Sequence, residues 1–192
     1  MRQSISKFVF LPLFLPGVAL AHTSVGETTG FMDGFSHPIG GADHLLAMLA
    51  VGLWASQIGG KALWAVPCTF VAVMILGGIL SFSGIPVAFI EEGILISVLI
   101  FGVLIAAAFK LPLAYSVLIV AFFAIFHGYA HGTEMPVKIV AASYIVGFSV
   151  ATAILHLAGI GLGILLQKTN QQTFNRFAGG AIALSGIYLA ML

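Results

Sequence analysis

Apolar residues run along this chain in blocks too long and too unbroken for a water-soluble fold. After residue 36, polar punctuation divides the sequence into six apolar stretches, near 38–57, 62–82, 87–109, 111–130, 138–166 and 174–192. Each approaches or exceeds the ~20 residues that a membrane-crossing helix needs. The connections are too short to hide a soluble domain. The fifth stretch is longest, and Gly159, Gly161 and Gly163 predict an irregular end there. The pattern predicts an all-α membrane protein, a bundle of six transmembrane helices over residues 37–192. Glycine, 23 in all, fits close helix approach in such a bundle.

The N-terminus has a different character. Arg2 and Lys7 precede the run FVFLPLFLPGVALA, which is short, broken by Pro12 and Pro16, and closed by the small-x-small triplet Ala19-Leu20-Ala21. This is the layout of a cleavable signal peptide, residues 1–21, of bacterial style. Cleavage leaves His22 as a periplasmic N-terminus and residues 22–36 as an external segment. Lys and Arg give the same orientation independently. With His22 outside, Lys61, Lys110, Lys168 and Arg176 fall on the cytoplasmic side and only Lys138 on the other. The expected location is the bacterial inner membrane.

Composition agrees. Of 192 residues, 60% are hydrophobic and 7% charged, against ~25% charged in soluble domains. A net charge of +1 without a basic patch gives no reason to expect nucleic acid. No nucleotide-binding motif is present. The lone cysteine, Cys68, excludes a disulfide framework and reads as a small buried apolar side chain.

The polar residues that remain are unevenly placed. On this topology every acidic residue, and every histidine but His156, lies at or near the outer face. Two clusters stand out. Residues 37–44 read HPIGGADH; His37 and His44, seven apart, share a face of a continuous helix at about 100° per residue. Asp43 adjoins His44, turned about 100° away, Pro38 suits a first helical turn, and Gly40 and Gly41 allow a bend or a close ligand. Residues 126–134 read FHGYAHGTE; His127 and His131, at i,i+4, form a two-point clamp, and Glu134 joins their face if the helix continues. An ionisable group inside a span costs several kcal/mol unless paired or hydrated, so Asp43 and His44 are functional candidates by default. Imidazoles with carboxylates and without thiolates suit nickel, cobalt or zinc. His22, Asp33, Glu91, Glu92 and His156 are auxiliary candidates. Glu91 and Glu92 also fit a role as complement to a helix dipole, and His156 one as a buried hydrogen bonder.

Three functions accommodate this pattern. A cation permease with an outward vestibule is favoured. An intramembrane metal-dependent hydrolase would need a general base, for which Asp43 is available, and a substrate cavity. A non-transporting metal sensor or insertion partner would need binding alone.

The two motifs resemble those of the HupE/UreJ family, His-Pro-x-x-Gly-x-Asp-His and Phe-His-x-x-Ala-His-Gly-x-Glu. His37, Pro38, Gly41, Asp43 and His44 match the first; Phe126, His127, Ala130, His131, Gly132 and Glu134 match the second. The signal peptide and six spans agree as well. The resemblance implies a small bacterial membrane protein linked to nickel or cobalt uptake for hydrogenase, urease or cobalamin. It implies a permease or facilitated channel in which His37, Asp43, His44, His127, His131 and Glu134 handle the metal. The larger nickel/cobalt transporters carry His-x4-Asp-His, whereas five residues intervene here. The expected partners are a divalent metal ion as cargo and the lipid bilayer. No permanently bound cofactor is expected, and the sequence is compatible with a homo-oligomer.

Overall fold

The computed structural model describes residues 30–137, 139–169 and 171–192. The expected signal peptide, its cleavage site, His22, Glu27 and Lys138 lie outside the described residues. The described residues form seven helices and no strand: α1 (Gly30–Gly40), α2 (Ala42–Ile58), α3 (Ala62–Phe82), α4 (Ile90–Ala106), α5 (Leu113–Thr133), α6 (Ala141–Lys168) and α7 (Gln172–Leu189).

The seventh helix arises because the first expected span is broken. Residues 30–36, expected as an external segment, are helical and run on through His37 to Gly40. Pro38 sits near the end of α1, not in a first turn; lacking an N–H, it cannot bond back to Gly34. Gly41 then adopts an extended conformation (φ −96°, ψ 126°), and its carbonyl accepts the first bond of α2, from Leu45 N–H at 2.9 Å. α1 and α2 meet at 81°.

α3, α5 and α6 are each long and apolar enough to cross a membrane; the bent α1–α2 pair qualifies as a fourth span if its halves are taken together. α6 is continuous for 28 residues, so the irregular end expected at its glycines does not occur. Gly159 and Gly163 instead face α2, where a Cβ would collide with Leu49 O and with the Ser56 side chain.

Reciprocal close approach is the packing rule of the bundle. α1 meets α6 at Gly34 and Gly147, α2 meets α6 at Gly52 and Gly159, α3 meets α5 at Gly77 and Gly128, and α4 meets α7 at Gly102 and Gly179. At each, a methyl group would strike the partner's backbone. Membrane helices gain little from mutual hydrophobicity, and such backbone contact supplies the dispersion attraction instead.

α2 lies in the middle, touching α3, α4 and α6, and residues 50–57 are buried without interruption. Around it pack the fully buried Phe70, Met74, Phe101 and Phe148. Trp64, Leu76, Phe122, Leu157 and Leu184 point outward. An apolar exterior around a packed interior is the arrangement of a protein solvated by lipid. Cys68 belongs to that exterior: it is exposed on α3, not buried as expected, because the polarity of a thiol is too slight to assign it a face.

Candidate metal-handling site

The break at Gly41 builds one side of the site. Along a straight helix His37 and His44 would be separated by ~10.5 Å of rise. The bend instead brings their ring centroids to 5.9 Å. The last turns of α5 build the other side. His131 lies 4.9 Å from His37 and 4.8 Å from His44, and His127 lies 5.0 Å from His44. Four imidazoles from α1, α2 and α5 thus form one contiguous group.

Two carboxylates are tied to it. α5 ends at Thr133, so Glu134 leaves the helical face and reaches α1, where its Oε2 accepts a bond from His37 Nε2–H at 2.7 Å. This bond lowers the Glu134 pKa from its ordinary value, outweighing the burial that raises it. Asp43 Oδ1 accepts twice from His44, from the ring Nδ1–H at 3.0 Å and the backbone N–H at 2.7 Å.

Hydrogen-bond accounting then assigns ring nitrogens. Because His44 Nδ1 donates to Asp43, the neutral ring carries its lone pair on Nε2, and that buried atom has no partner. Ser97 Oγ donates its single hydrogen to Ile94 O at 2.6 Å, so it accepts from His127 Nε2–H at 2.9 Å. His127 Nδ1 is left with the lone pair and no partner. Neither nitrogen of His131 has a partner. Buried polar atoms are normally satisfied, so this concentration marks the group as chemically poised.

Burial deepens across the group. Relative exposure is 46% for the Glu134 side chain, 26% for His37 and 7% for His44, and falls to 0% at His131 and His127. Aromatic rings form the walls. Phe148 stacks on His131 at 4.7 Å and 11°, and Phe70 lies 5.3 Å from His127. Phe70 also lies 5.1 Å from His156, a fully buried histidine on α6 with both nitrogens unpartnered. Phe70 thus contacts both His127 and His156. Among the described residues no three His, Cys, Asp or Glu side chains surround one point as a metal-ligand set. His37, His44 and His131 form a triangle with ring centroids 4.8 to 5.9 Å apart, and His127 adjoins it at His44.

Asp33 on α1, and Glu91 and Glu92, exposed in the first turn of α4, make no ion pair with the group among the described residues. Ser97, Phe70 and Phe148 were not singled out from sequence. Ser97 had a signal, one hydroxyl in the apolar run ILISVLI; the phenylalanines had none, among 16.

The family model described as HupE / UreJ protein matches residues 10–189. The chain belongs to the HupE/UreJ family. A curated relative, Protein HupE of Rhizobium leguminosarum bv. viciae, is 45% identical over 189 residues, covering 98% of each chain. No solved structure matches. In this HupE/UreJ member, the residues of both motifs meet although 82 positions of sequence separate His44 from Phe126.

Proposed function

We propose that this HupE/UreJ protein is a permease for a transition-metal cation, nickel or cobalt, which it takes from the periplasm into the cytoplasm. One observation carries the reading: a contiguous group of imidazoles with unpartnered nitrogens leads from half-exposed Glu134 and partly exposed His37 to fully buried His127. The ion exchanges part of its water shell for Glu134 and His37, and then passes to His131, His44 and His127. Asp43 and Glu134 offset its charge. Such a contiguous group suits a path, since conduction needs binding strong enough to admit an ion and weak enough to release it. The membrane potential favours inward movement of a divalent cation by about 4–5 kcal/mol per 100 mV.

In this reading the chain is no enzyme, holds no permanent cofactor and uses no ATP itself. Its signal peptide is cleaved after Ala21, and six spans, the first of them α1–α2, cross the inner membrane with the mature N-terminus in the periplasm. α4 and α7, at 17 and 18 residues, cover most of a ~30 Å hydrocarbon layer.

Uptake of radioactive nickel at nanomolar concentration into cells making wild type, His44→Ala or His131→Ala, at matched protein levels, tests this. Accumulation by wild type and its loss in both variants is expected, with cobalt and zinc competition ranking the metals. No uptake above background, with nickel still bound by the purified protein, would overturn transport in favour of a sensor or insertion role.

A further inference from the structure

The end of the bundle opposite the histidines holds a second polar site. A cavity of about 80 Å³ opens there, lined by Gln57, Lys110, Gln167, Gln172, Asn175 and Arg176. That is several times the ~10–15 Å³ a single water needs. The lining has two cations and four amides, and no acid. Neither Lys110 nor Arg176 has a carboxylate partner among the described residues, where both ion pairs lie at the other end.

The site is built rather than incidental. Arg176 Nε donates to Ala106 O at 2.7 Å, which anchors the guanidinium on the end of α4 and leaves its terminal N–H groups for other partners. Gln57 Nε2 donates to Ile105 O at 3.1 Å and Gln167 Nε2 to Ser56 O at 2.9 Å. Asn175 is 98% buried, Gln57 92%, and the amide oxygen of each has no partner. The first turn of α7 has no side-chain cap; the Phe174 N–H bonds Gln171 O at 3.0 Å, and those of Gln172 and Thr173 precede the intrahelical ladder. Phe109, Phe174 and Phe177 are exposed close by in sequence.

We propose that this cavity binds the phosphate headgroup of a membrane phospholipid. Lys110, Arg176 and the α7 N-terminus receive the phosphate; the oxygens of Gln57 and Asn175 accept from the headgroup's hydroxyl or ammonium. The exposed phenylalanines meet the acyl chains. A bundle end with this chemistry, at the boundary of an apolar exterior, is where headgroups reside. The inference is independent of the metal reading.

The test is native mass spectrometry of the purified full chain in detergent, titrated separately with phosphatidylglycerol, phosphatidylethanolamine and inorganic phosphate. The expected result is a saturable one-lipid adduct, weakened about tenfold by Lys110→Gln and further by Lys110→Gln/Arg176→Lys, and unchanged by Lys61→Gln, a cation at the same end outside the cavity. Lys110 makes no hydrogen bond that folding needs among the described residues, so its variant remains informative if Arg176→Lys unfolds. Equal loss with Lys61→Gln, no loss with Lys110→Gln, or binding of inorganic phosphate without lipid would each overturn the proposal.

Discussion

The hydroxyl of Ser97 on α4 and the imidazole of His127 on α5 lie 2.9 Å apart, and the hydroxyl accepts. Its own hydrogen is committed to Ile94 O. This fixes His127 with its proton on Nε2 and its lone pair on Nδ1.

Ser97→Ala should therefore weaken metal handling without removing any group that touches the ion. Loss of such an orienting partner typically costs 10- to 100-fold in metal affinity. The apparent affinity of nickel uptake should fall within that range while Ser97→Thr, which keeps the hydroxyl, retains most of it. Unchanged affinity in Ser97→Ala would show that the His127 tautomer is immaterial.

Uptake should depend on pH through the imidazoles. Protonated imidazole binds no metal, and the ordinary histidine pKa is about 6.5. Initial nickel uptake at fixed membrane potential should decline as external pH is taken from 7.5 to 5.5. A flat profile would place the rate-limiting step away from the histidines.

The Glu134–His37 bond makes a separate pH prediction, for stability. Glu134 has its pKa lowered from 4.5 in the folded protein, chiefly by the bond from His37. A depressed carboxylate pKa contributes stability that is fully present above the unfolded value and is lost as pH falls through the folded one. The melting temperature of wild type should exceed that of Glu134→Gln at pH 6, and the gap should close below pH 4.5. A gap that persists at low pH would locate the effect outside this ionisation.

Close helix contact gives a test with an internal control. A Cβ on Gly128 would strike Met74 O across the α3–α5 contact, whereas one on Gly161 meets nothing within 4 Å. Gly128→Ala should cost about 1–3 kcal/mol through overpacking. Gly161→Ala should be neutral or stabilising by up to about 1 kcal/mol from helix propensity. Thermal melts in one detergent compare them directly.

Much of the helical layout was legible in sequence. α3 coincides with the apolar stretch 62–82, and α5 departs from its stretch by a few residues, because long apolar runs in lipid have no alternative to helix. The break at Gly41 was not legible. A straight span and a bent one have the same composition, and Gly40-Gly41 permits both. The i,i+4 relation of His127 and His131 follows from local geometry. The bond from His37 to Glu134, 97 residues apart, does not. Nor does Ser97 beneath His127, since both depend on which helices become neighbours. Cys68 shows the complementary limit. In a chain solvated by lipid, apolarity no longer tells inside from outside.

The division of the first span has an electrostatic consequence. A helix carries about half a positive charge at its start and half a negative charge at its end. Where α1 stops and α2 begins, both poles sit one residue apart beside the histidine group. The negative pole, α1's terminal carbonyls, attracts a cation. The positive pole would repel it, but Asp43 stands in the first turn of α2 with its carboxylate on the His44 N–H. One side chain thus offsets the positive pole and aligns the imidazole beside it, so that the field left at the junction favours a cation.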